Sequence, residues 1–132
     1  MVQTEKRVED GLNLRLARGP DAAANARRGL ARLRGDLDPP LMETLRLLIT
    51  ELVTNSFRHT SAETILLRVL VRSSAVWTEV TDGGPGFDAG ATGTADGNHT
   101  GWGLLLVERL AERWGVNQDG DGTKVWFELR RS

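Results

Sequence analysis

The stretch Thr50–Ala62, TELVTNSFRHTSA, decides how this chain is read. It continues an apolar helical stripe, Leu41, Leu45, Leu48 and Leu52, widened by Ile49 and Val53. Spacings of three and four residues put those side chains on one face of a helix. Yet Glu51, Asn55 and His59 follow at i, i+4 and i+8, on a second stripe about 100° to the side of Leu52. A carboxylate and an amide one turn apart, at the edge of a buried face, need partners. Two oxygen ligands of this kind suit a hard cation that keeps several waters, which means Mg²⁺. The carboxylate can instead hold a hydroxyl or water as a general base. The plainer alternative is a solvated polar face, since this spacing also arises by accident.

Working outward, the helix starts at Pro39-Pro40, just after Asp38, and runs to about Phe57. Upstream, GLNLRLAR at 11–18 alternates Leu12, Leu14 and Leu16 with polar residues, the pattern of a half-buried strand. Gly19-Pro20 breaks it, and Asp21 is placed to cap a helix over AAANARRGLARLR. Downstream, ETILLRVLVRS and AVWTEVTD form a hairpin around Ser73-Ser74. Eight glycines between 83 and 103 mark a long, mobile loop, and such loops in compact domains are usually functional. A helical pattern follows over Leu104–Trp114, with Leu105, Val107, Leu110 and Ala111 available to bury. After a turn at Asn117–Gly122 the chain ends in an alternating strand, TKVWFELR. The order β-α-α-β-β-loop-α-β-β implies an α+β fold. Its form is a two-layer α/β sandwich: a mainly antiparallel sheet covered on one face by about three helices.

The totals narrow the classes. The 132 residues, 39% hydrophobic and 27% charged, suit one globular domain spanning residues 1–132. A net charge of −1 gives no electrostatic case for direct nucleic-acid or membrane binding. The absence of cysteine excludes disulfides and thiolate metal sites. MVQTEKRVEDG lacks the apolar run of a signal sequence, so a cytoplasmic location is expected.

Three further motifs bear on chemistry. In VTDGGPGF a strand ends at Asp82, and Gly84 and Gly86 follow. The carboxylate can accept from an exocyclic amine of the adenine kind, and the glycines let a flat base approach the backbone; a capped glycine turn is the alternative. Thr100-Gly101-Trp102-Gly103-Leu104 precedes a helix, whose free amides and dipole can hold phosphate oxygens; a flexible entry loop is the alternative. Neither a Walker nor a Rossmann pattern completes it. Gly122-Thr123-Lys124 opens the last strand, where Thr123 can donate to a phosphate or a base-bound water, or simply begin the strand.

In order, ExxxN on a helix, DxGxG after a strand, GxG before a helix and GT into a strand resemble the boxes of the GHKL, or Bergerat-fold, ATPases. The likeness covers residues 12–130. With ITELVTNSFRHT, VTDGGPGFD and GWGLLLVERLAERWGV, the chain resembles the stand-alone anti-sigma-factor serine/threonine kinases of that superfamily.

The resemblance implies ATP and Mg²⁺ as ligands. Asn55 would coordinate Mg²⁺ and Glu51 would act as the catalytic base. Asp82 would read adenine, with Gly84 and Gly86 beside it. Gly101, Trp102, Gly103 and Leu104 would hold phosphates under an ATP lid at 88–100, and Thr123 would support the adenine end. Implied partners are a sigma factor and a STAS-like anti-sigma-factor antagonist. Homodimers formed through the sheet or a helix surface are usual in that branch. His59 is expected to meet the dipole at its helix end. His99 stands where kinases of this branch often carry arginine. An imidazole stabilises phosphoryl-transfer charge less well than a guanidinium, so binding is better supported than fast transfer.

Overall fold

The computed structural model describes residues 4–6, 11–59, 62–82, 104–119 and 122–131. Among these residues six strands form one sheet: β1 (Thr4–Lys6), β2 (Gly11–Ala17), β3 (Thr64–Val71), β4 (Ala75–Asp82), β5 (Arg113–Asp119) and β6 (Gly122–Arg130). Their spatial order is β1-β2-β3-β4-β6-β5, and every neighbouring pair is antiparallel. The last strand therefore returns inside the sheet, beside β4, and leaves β5 on the edge. Among the described residues three helices accompany it: α1 (Ala22–Leu30), α2 (Pro39–His59) and α3 (Leu104–Leu110). The expected α+β two-layer sandwich is what the chain forms.

Period-two patterning explains the layers. Leu12, Leu14 and Leu16 of β2 are buried, as are Ile65, Leu67 and Val69 of β3 and Val125, Phe127 and Leu129 of β6. Leu45, Leu48, Ile49, Leu52 and Val53 of α2 meet them from the helical side. Each such side chain contributes about 1.5–3 kcal/mol relative to an exposed one. Alternate strand residues, Arg15, Arg68, Trp77, Glu79, Lys124 and Trp126 among them, lie on the other face of the sheet.

Several boundaries differ from the sequence reading. The second helical segment is α1 followed by a 3₁₀ turn over Ala31–Asp36. The Asp21 side chain makes no cap bond; its carbonyl accepts from Asn25 N at 2.8 Å instead. The helix expected over Leu104–Trp114 stops at Leu110, closed by Ala111 N donating to Val107 O at 2.8 Å. Of its apolar residues Leu104 and Val107 are buried, while Leu105 and Leu110 are exposed. Trp114 instead belongs to β5, paired with Phe127, and β-sheet pairing overrides the helical spacing there. Strand β1 had no clear signal and is held by its pairing with β2. No helix of the described residues is long and apolar enough to cross a membrane.

Candidate functional site

Helix α2 owes its length to its ends. Pro39 and Pro40 start it where their missing N–H groups cost nothing, and Asp38 O accepts from Met42 N at 3.0 Å. At the far end Arg18 donates from Nη1 to Phe57 O at 2.9 Å and from Nε to Ala62 O at 2.9 Å. Its guanidinium also lies 5.1 Å from the Phe57 ring centroid. A cation on the last carbonyls of a helix complements their partial negative charge. Arg18 thus ties the C-terminal turns of α2, which carry Asn55, to the sheet. Nothing in its spacing within the sequence pointed to this role.

Asn55 is buried on α2, at 5% exposure, while Glu51 one turn earlier is half-buried. Arg58 Nη1 approaches Asn55 Oδ1 at 3.4 Å, at the long end of a hydrogen bond. The i, i+3 spacing made that contact foreseeable, although the sequence assigned Arg58 no role. The His59 side chain lies outside the described residues.

Asp82 is the last residue of β4 and lies on the helix-covered face with Val76 and Val80. The β4–β6 register sets Thr123 directly opposite it. Both are buried, at 3% and 2% exposure, and both are engaged in interactions within the fold. Gly122 precedes Thr123 with φ of 143°, a conformation that favours glycine. A carboxylate and a hydroxyl side by side offer an acceptor and a combined donor–acceptor, which suits the edge of a purine. Leu104, 2% exposed, opens α3, which packs against α2. Glu51 and Asn55 thus lie on α2 and Leu104 on α3, and α2 packs against the two strands that carry Asp82 and Thr123. Gly84, Gly86, Gly101, Trp102, Gly103, His99 and the lid at 88–100 lie outside the described residues.

A family model for the histidine kinase-like ATPase domain matches residues 16–129. The chain belongs to that family. The match runs from the end of β2 to the end of β6 and includes every candidate site residue. No curated protein matches the chain. Membership makes this histidine kinase-like ATPase domain an ATP-binding unit, and ATP the ligand against which the buried polar residues are to be weighed. They fit it: two of them are neighbours at the strand ends, and the third, Asn55, is a neutral oxygen donor that a phosphate-bound cation tolerates. Among the described residues no group of three or more His, Asp or Glu could hold a metal unaided. A cation here would be held chiefly by nucleotide phosphates and water, the usual habit of Mg²⁺.

Proposed function

We propose that this protein is an Mg·ATP-dependent protein serine kinase of the anti-sigma-factor type, acting on a STAS-like anti-sigma-factor antagonist and holding a sigma factor according to the antagonist's state. The reading rests on the buried Asp82–Thr123 pair, set across two adjacent strands that α2, the helix carrying Asn55, packs against. Asp82 accepts from the adenine amino group, and Thr123 supports the same edge. Asn55 Oδ1 would hold Mg²⁺, which would supply neutralisation of phosphate charge, in exchange for its long contact with Arg58. Glu51, half-buried, reaches solvent where an acceptor hydroxyl would enter. The serine oxygen attacks the γ-phosphorus, the bond to the β–γ bridging oxygen breaks, and ADP leaves. The serine proton passes to the Glu51 carboxylate.

Transfer of radiolabelled phosphate from ATP to a purified antagonist tests this reading. Glu51→Gln is expected to bind Mg·ATP and to lose transfer, while Asn55→Ala loses Mg²⁺-dependent binding. Equal loss of binding in both contradicts the roles assigned. His99, in place of the arginine of related kinases, favours a second reading, a nucleotide-sensing module that binds its partner without transfer. That reading holds if ATP raises the melting temperature and label never reaches the antagonist.

A further inference from the structure

The three helices cover one face of the sheet, and the other face carries a distinct chemistry. Trp77 and Trp126 stack on it, with centroids 4.5 Å apart and planes within 8°. Leu66 lies on the same face, opposite Thr81 of β4, and is 46% exposed. Two carboxylates sit low among longer cations. The Glu79 side chain is 12% exposed, against 51% for Arg68 and 41% for Lys124, which lie 3.8 and 3.3 Å from it. Trp77 Nε1 also donates to Glu79 Oε2 at 3.0 Å. Glu128 is 14% exposed beneath Arg113 at 64%, with 2.7 Å between them. Arg15 and Arg130 are exposed on the same face. Its described side chains thus turn guanidinium and ammonium groups outward and keep carboxylates beneath, although the chain as a whole carries a net charge of −1. Between β2 and β6 the face opens into a shallow groove of about 490 Å³, lined by Arg15, Leu66, Arg68, Glu79, Thr81 and Lys124.

We infer that this groove is a docking surface for an acidic protein segment, its carboxylates meeting Arg15, Arg68 and Lys124 while an apolar side chain covers Leu66. Opposed charge at the rim around an apolar centre is the general form of a specific protein interface. Nucleic acid fits less well. Trp126 is stacked on Trp77, and neither indole lines the groove, so the groove itself offers no aromatic face for a base to stack on. A second copy presenting the same face brings cation against cation. The surface lies across the sheet from Asn55 and Asp82, so the inference stands independently of the nucleotide site.

The test is an NMR titration of the full-length, ¹⁵N-labelled protein with a synthetic peptide carrying glutamates on both sides of a Leu-Phe pair. A matched peptide with lysines and an oligothymidylate serve as comparisons, and sedimentation is run in parallel. Saturable shifts centred on Arg15, Leu66 and Lys124 are expected with the glutamate peptide and not with the lysine peptide. Arg15→Glu is expected to weaken that binding roughly tenfold while leaving the Mg·ATP thermal shift unchanged. Four results overturn the inference: no shifts, shifts confined to the helical face, tighter binding of the oligothymidylate, or a concentration-dependent dimer that buries the groove.

Discussion

Thr78 offers the sharpest test of the packing. It sits at the centre of β4, paired with Val69 of β3 and Phe127 of β6, and is fully buried. Its Oγ1 has no hydrogen-bond partner. Burying an unsatisfied hydroxyl costs about 1–3 kcal/mol. Valine has nearly the same shape and replaces the hydroxyl with a methyl group, which gains a little from apolar burial and loses nothing in strand preference. Thr78→Val is therefore expected to stabilise the fold by about 1–2 kcal/mol. For a domain of this size that raises the melting temperature by roughly 3–8 °C. Urea titration followed by circular dichroism measures it: the midpoint rises while the slope stays unchanged. A lower midpoint refutes the reasoning, because it shows that the hydroxyl makes a bond whose loss outweighs its desolvation.

Two further substitutions probe the two faces of the sheet. A Cβ at Gly115 would lie 2.7 Å from Trp126 Nε1 and 2.9 Å from two other ring atoms. Gly115→Ala is expected to cost about 1–3 kcal/mol and to abolish the exciton couplet of the Trp77–Trp126 stack in circular dichroism; an unchanged couplet contradicts the geometry. Arg18→Met removes two hydrogen bonds to carbonyls from a partly exposed guanidinium, at a cost of about 1–2 kcal/mol. Amide exchange should then quicken in the last turns of α2 more than in β3; uniform exchange across both argues against a local tether.

The fold was legible where the pattern is long. Strands β2, β3, β4 and β6 alternate cleanly, and α2 carries an uninterrupted stripe, so both layers could be read from residue spacing. It was not legible at α3 and β5. There a seven-residue helix leads within three residues into a strand, and Trp114 and Val116 satisfy helical and strand patterns equally. Trp77 and Trp126 alternate away from the apolar positions of their strands, which by itself leaves open whether they are exposed or covered by a helix. The register sets Trp77 and Trp126 on adjacent strands of the open face, half-buried against each other. For the site, motif order brought out Glu51, Asn55, Asp82 and Thr123. Spacing could not show that Asp82 and Thr123 are direct neighbours, because that depends on β6 returning inside β5. Nor could it show Arg18, whose partners are carbonyls 39 and 44 residues away.

The central proposal is that adenine is read by Asp82 beside Thr123, on the sheet face covered by α2, the helix that carries Asn55. Thermal unfolding of the full chain with Mg²⁺ and either ATP or GTP tests it most directly, for the wild type and for Asp82→Ala. ATP at about 100 times its Kd should add about 2.7 kcal/mol to the wild type. GTP, which turns a carbonyl oxygen toward the carboxylate, should add far less, and the preference should vanish in Asp82→Ala. No stabilisation by ATP, or equal stabilisation by GTP in the wild type, would contradict it.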